Sequence, residues 1–144
     1  MDVPDVLVIG AGPTGLTLAP SEELIAEAAP YDLVEGALSN AAQAASDPQF
    51  RALVARILGS SASHPALMAT YWNHYVLPRR ALTVQLLDRA REAGTVRPDA
   101  DADVLIDMMA GAVMYRVLQP DPSDLAEMRR YLKMLYRQVG LLPA

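Results

Sequence analysis

From residue 21 onward, apolar positions recur at intervals of three and four, the period of an amphipathic helix, and prolines and glycines cut the pattern into segments. Ser21 is an N-cap, Glu22 and Glu23 complement the macrodipole, and Leu24, Ile25 and Ala28 share one face, which predicts a short helix to about Ala29. Pro30 breaks it, and Leu33, Val34, Ala37, Leu38, Ala41 and Ala45 then predict a helix over residues 31–45. Asp47 and Pro48 are an N-cap and a proline at the first helical position. They open a helix with Phe50, Leu53, Val54, Ile57 and Leu58 as its buried stripe and Gly59 as its stop, and these two helices are expected to lie antiparallel.

Residues 60–63 form a serine-rich turn, and Ser63 or His64 ahead of Pro65 restarts a long helix that Pro78 is expected to kink or divide. Val76, Leu82, Val84, Leu86, Leu87 and Ala90 carry its periodicity to Gly94, and residues 95–100 are a connector. Asp101 caps the next helix. Its apolar residues Val104, Leu105, Met108, Met109, Ala112, Val113, Tyr115 and Val117 wrap around much of the circumference, predicting burial on more than one side. Pro120 and Pro122 make a turn, Ser123 caps the last helix, and Leu125, Met128, Leu132, Leu135, Tyr136 and Val139 form its stripe before Gly140. The expected fold is all-α, an antiparallel helical bundle over residues 21–144.

Residues 1–20 differ from the rest. Residues 5–9 are a short β-prone run leading into Gly10-Ala11-Gly12-Pro13-Thr14-Gly15, where Gly10 permits a tight turn, Gly12 close approach of a pyrophosphate and Gly15 close helix packing. Residues 3–19 resemble the opening of FAD-dependent aromatic monooxygenases, which implies FAD held by Gly10, Gly12 and Gly15. The continuation does not follow that fold: Pro20 falls inside the expected helix, at about 3 kcal/mol or more, and residues 36–144 offer no further strands. Residues 31–35 pose as a second strand with Glu35 as a ribose-binding acid, against the alternative that Glu35 is a solvated helix residue. The expected organisation is a short strand or loop leader, residues 1–20, before the helical domain.

Charge narrows the function. Residues 1–50 hold eight acidic side chains and no Lys or Arg, whereas the remainder holds all twelve basic residues, spread along helices without a dense patch. Direct nucleic-acid binding by this chain is not expected. There is no cysteine, so disulfides, thiolate metal sites and cysteine nucleophiles are excluded; disulfides then give no indication of the redox compartment, and cytoplasm is the default expectation. No apolar run approaches membrane-spanning length.

Several clusters carry competing readings. Met68, Tyr71, Trp72, His74 and Tyr75 mix soft, aromatic and polar-tipped side chains that suit either a core or an apolar ligand pocket, and Met68, Trp72 and Tyr75 can face one cavity together. His64 and His74 have no cysteine or nearby acid, so no metal is expected. Ser60, Ser61 and Ser63 near His64 come without a nucleophile elbow or orienting acid and are expected to be linker, leaving no catalytic residue. Asp99, Asp101 and Asp103 alternate like a calcium loop without its glycine and distal glutamate, and helix capping explains them better.

The order and spacing of Pro78-Arg79-Arg80, residues 87–101 (LDRAREAGTVRPDAD) and residues 107–118 (DMMAGAVMYRVL) resemble the C-terminal domain of TetR-type transcriptional regulators, with the likeness running over residues 79–142. That resemblance implies a domain that binds a small hydrophobic effector and forms a homodimer through its last two helices. The pocket is then expected at Met68, Tyr71, Trp72, Tyr75 and Met108, and the dimer interface at Met109, Ala112, Val113, Arg116, Leu132, Leu135 and Tyr136. Arg116 is expected to pair with a carboxylate such as Asp107 or Glu127. Residues 20–25 resemble the junction at which the family's DNA-binding domain hands over to the core. The chain is therefore expected to lack its helix-turn-helix reader, with residues 1–19 a foreign leader. The rival expectations are a flavin-binding monooxygenase fragment and a helical scaffold whose pocket is simply core.

Overall fold

The computed structural model describes residue 27 and residues 29–143; the leader, the Gly10, Gly12 and Gly15 motif and the helix opened by Ser21 lie outside the described residues, as does the side chain of Ala37. The described part is all-α, with no strand among its residues. Helix α1 spans Pro30–Ser46, α2 Pro48–Ser60 and α3 Pro65–Tyr71, which runs through a π-helical turn, Trp72–Val76, into α4, Leu77–Glu92; α5 spans Ala102–Val117 and α6 Leu125–Gln138. None of these helices is long and apolar enough to cross a membrane.

Helix α1 is the hub. Its buried face is Leu33, Val34, Leu38, Ala41, Ala42 and Ala45, and the small residues at its C-terminal half let neighbouring helices approach closely. It touches α2, α4 and α5, but packs most extensively on α6 and only secondarily on α2, so the expected pairing of α1 with α2 is not its main contact. Lys133 to Glu35 at 2.9 Å and Arg129 Nη1 donating to Ser39 Oγ at 2.6 Å fasten the α1–α6 seam at its rim. Residues 31–35 are thus helical, which removes the second-strand reading, and Glu35 is an ion-pair partner.

Caps set the helix ends largely as local chemistry dictates. Asp47 accepts from the Gln49 amide at 2.7 Å with Pro48 beside it, and Asp101 accepts from the Val104 amide at 3.0 Å. The last helix departs from expectation. Its cap is Asp124, one residue after Ser123, because Asp124 and Glu127 form a reciprocal capping box in which each side chain accepts from the other's backbone amide. Helix α2 continues through Gly59 to Ser60, so that glycine is not its stop. Gly94 and Gly140, at φ +77° and +83°, do terminate α4 and α6 in the left-handed region.

Pro78 neither divides nor ends the long element. It sits in the first turn of α4, just after the Leu77 amide bonds to the Trp72 carbonyl in the wider register of a π turn. A proline brings no N–H to the ladder, and a one-residue widening ahead of it lets the helix continue. Helix α5 differs too: Ile106, Met109, Val113 and Val117 put one face in the core, whereas Val104, Met108, Tyr115 and Leu118 stay exposed. The helix is buried on a single side. In α2 only Phe50 and Val54 are buried; Leu53 and Leu58 are exposed and Ile57 is half-buried.

Candidate functional site

The incompletely buried edge of α2 faces a cavity of about 230 Å³. Three elements line it: Val54, Ile57 and Leu58 from α2, Met68, Tyr71, Trp72, Val76 and Arg80 from the α3–π–α4 element, and Asp107, Ala110, Gly111 and Met114 from α5. Arg51, in the first turn of α2, donates from Nε to the Val117 carbonyl at 2.8 Å and from Nη2 to the Gln119 carbonyl at 2.6 Å. It therefore ties the start of α2 to the C-terminal end of α5, where free carbonyls and the helix dipole favour a cation, and holds two walls in register.

The π turn decides which side chains point inward. With a regular helical turn, Met68, Trp72 and Tyr75 would share a face; the widened turn makes the inward set Met68, Trp72, Val76 and Arg80, each four residues on. Tyr75 is displaced from the lining. It stacks on Tyr71 with centroids 5.2 Å apart and lies under the Arg79 guanidinium at 3.6 Å from its centroid, forming a ladder that braces Tyr71. Burial pushes the Tyr71 phenol above its ordinary value, partly opposed by the positive charge of Arg79. Met108 also lies elsewhere: it is exposed and borders a separate groove with Val104, Leu105, Arg137 and Gln138. Of the five residues expected to form the pocket, the structure brings together Met68, Tyr71 and Trp72.

The polar edge of the cavity is an ion triad. Arg80 bonds Asp107 through Nη1 at 2.5 Å and Asp103 through Nη2 at 2.8 Å, with its side chain mostly buried and both carboxylates exposed. Burial draws the guanidinium pKa down, but the bonds to Asp107 and Asp103 outweigh it and leave it above the ordinary value. The Trp72 ring centroid lies 5.9 Å from the Arg80 guanidinium carbon. The rest of the lining is aliphatic, aromatic or thioether. Such a cavity has the chemistry to hold a small apolar molecule by burial and one polar group at the triad.

The residues expected at a dimer interface divide in two. Met109, Val113, Leu132 and Tyr136 are buried in the chain's own core, and Ala112, Arg116 and Leu135 are half-buried between α5 and α6. Arg116 pairs with neither Asp107 nor Glu127, since the first is held by Arg80 and the second by the capping box. It donates to Gln119 Oε1 at 3.2 Å and lies over the Tyr131 ring at 4.9 Å. The outward face of α5 is instead Val104, Met108, Gly111, Tyr115 and Leu118, an exposed seam advancing in alternating steps of four and three residues, with Tyr115 75 % exposed. That is the spacing of helices that pack along one another.

The other clusters resolve locally. Asp99 pairs with Arg97, Asp101 caps α5 and Asp103 pairs with Arg80, so the three alternating aspartates have separate structural tasks. Ser63 Oγ lies 2.9 Å from His64 Nδ1 on an exposed turn. Among the described residues no group of three or more His, Asp or Glu is placed to hold a metal ion.

No curated protein and no solved structure matches the chain. Residues 32–135 match the family described as tetracyclin repressor-like, C-terminal domain, a span that runs from the first turn of α1 to the last turn of α6 and contains every wall of the cavity. With most of its length inside that match, the chain belongs to the TetR C-terminal domain family of regulatory proteins.

Proposed function

We propose that this domain is the sensing and pairing part of a TetR-type regulator: it binds a small apolar effector in the cavity between α2, the α3–π–α4 element and α5, and dimerises through α5 and α6. The observation that carries the first half is the cavity itself. It is a partly open cleft of about 230 Å³, walled by Tyr71, Trp72, Met68 and aliphatic side chains, the concave and mostly apolar form of a small-molecule site. A cavity of about 150 Å³ holds a benzene ring, so this space suits one ring with a short substituent. The half-exposed Trp72 and exposed Leu58 leave it open to entry from solvent.

The second half rests on the seam of α5. Val104, Met108, Tyr115 and Leu118 present apolar surface with small Gly111 at its centre, and an apolar seam on a helix is stable when a second helix covers it. A second copy of this chain is the proposed cover, since an isologous contact presents each copy's seam to the other. Effector binding at one wall of α5 and pairing on its adjacent face would then share one helix, the physical basis for coupling the two.

Thermal unfolding in the presence of a panel of one- and two-ring apolar compounds tests the sensor. A true effector at about a hundred times its Kd adds roughly 2.7 kcal/mol by mass action, a shift of several degrees. Ala110→Phe, which places a ring in the cavity from α5, is expected to remove the shift while far-UV circular dichroism stays helical. If no compound shifts the transition, or Ala110→Phe responds like the parent, the sensing assignment is wrong.

A further inference from the structure

The charge of the cavity's one polar edge carries a statement about what it binds, resting on the reading of the cavity as the effector site. Arg80 is held by Asp103 and Asp107 together, so one guanidinium stands between two carboxylates and the triad keeps one negative charge in excess. Asp107 is itself part of the lining and meets Arg80 through a single oxygen, Oδ1, whereas the guanidinium has committed an amino group to each aspartate. Arg79, the other nearby cation, is not in the lining, and the Tyr75 ring that it covers is the one stacked on Tyr71. The rings of Tyr71, stacked on Tyr75, and of Trp72, with the Arg80 guanidinium over it, also border the cavity, and aromatic faces attract cations.

We infer that the cavity selects a small aromatic or apolar monocation, seated against Tyr71 and Trp72 with its charge toward the free side of the Asp107 carboxylate. An anion would have to compete with two carboxylates for a guanidinium already engaged by both. A neutral molecule of the same shape would gain the apolar walls and nothing from the triad. A monocation gains both, and it brings the triad to neutrality without breaking either of the Arg80 bonds.

Three probes of similar size separate these cases: benzyltrimethylammonium, its neutral isostere neopentylbenzene, and the anion phenylacetate, each titrated against the full chain by calorimetry. The cation is expected to bind about fivefold or more tightly than the isostere, with phenylacetate weakest. Asp107→Asn, at an exposed side chain whose shape the amide keeps, makes the triad neutral and should cut the cation's advantage over the isostere to what the rings of Tyr71 and Trp72 alone supply, without weakening the isostere. Asp103→Asn combined with Asp107→Asn leaves Arg80 uncompensated and should invert the order toward phenylacetate. Equal binding of cation and isostere in the parent, tightest binding of the anion, or a preference undiminished by Asp107→Asn overturns the charge selection while leaving the cavity a binding site. Failure of all three probes to bind removes the site itself, and the sensing function with it.

Discussion

Gly94 and Gly140 end α4 and α6 at nearly the same backbone angle, φ +77° and +83°, yet alanine should be tolerated at one and not the other. A Cβ at Gly94 meets nothing within 4 Å, so Gly94→Ala bears only the left-handed strain of an L-residue, about 1 kcal/mol. A Cβ at Gly140 would overlap the Thr95 carbonyl oxygen and stand 3.1 Å from its carbon and 3.3 Å from Val96 Cα. Those are backbone atoms of the α4–α5 connector and no side-chain rotation relieves them. The end of α6 must then lift from the connector, loosening Val96, Leu141 and Leu142, all of which are buried. Losing the packing of even one such side chain costs about 1.5–3 kcal/mol. Gly140→Ala is therefore expected to cost about 3 kcal/mol or more in total. Chemical denaturation followed by circular dichroism, at one fixed protein concentration because pairing raises apparent stability, measures both variants. A Gly140→Ala loss no larger than that of Gly94→Ala would refute the close approach of the two helix ends.

Further outcomes follow from other contacts. Arg51→Met should cost about 2 kcal/mol, since it removes two charge-assisted bonds to the end of α5, and should weaken effector binding in calorimetry by letting two cavity walls drift. Tyr115→Glu, on the exposed seam, should give a monomer by light scattering with unchanged helicity, whereas Met109→Asp, at a position 2 % exposed, should unfold the chain at about 3 kcal/mol or more; the reverse pattern would return the interface to the Met109 face. Burial drives the Tyr136 phenol far above its ordinary value. The folded state therefore holds a proton that the unfolded chain releases near pH 10, and stability is full below that pH and falls as the pH rises above it. A denaturation series between neutral and alkaline pH should show this fall, and Tyr136→Phe should flatten part of it.

Helix positions were legible because their signals are local. Asp47-Pro48, Asp101, Gly94 and Gly140 each act through their own backbone neighbours, and the chain uses each as expected. The Asp124–Glu127 capping box was equally present in the sequence, at the spacing of a capping box, and outcompetes the neighbouring Ser123 because it satisfies two amides at once. Facing was harder to read. Helix α5 is apolar nearly all round, so periodicity gives no direction, and the positions of α4, α6 and α1 around it decide that Met109 and Val113 turn inward and Met108 and Tyr115 outward. In the α3–α4 element the π turn shifts the inward set by one residue, exchanging Tyr75 for Val76 and adding Arg80. The Arg80 triad joins residues more than twenty apart, and α2's contribution to the cavity shows only as apolar residues in excess of what its buried face needs. Tertiary contacts of that kind leave no local trace.

Trp72 is the chain's only tryptophan and it lines the cavity, so its emission reports occupancy of that space directly. The most direct test of the sensing function is to titrate a compound that raises the unfolding temperature while following Trp72 fluorescence, in the parent and in Ala110→Phe. A saturable change in emission is expected, at the Kd that the thermal shift implies and lost in Ala110→Phe. A compound that stabilises the protein while Trp72 stays silent, or that acts equally on the filled variant, would place the binding site elsewhere and contradict the assignment.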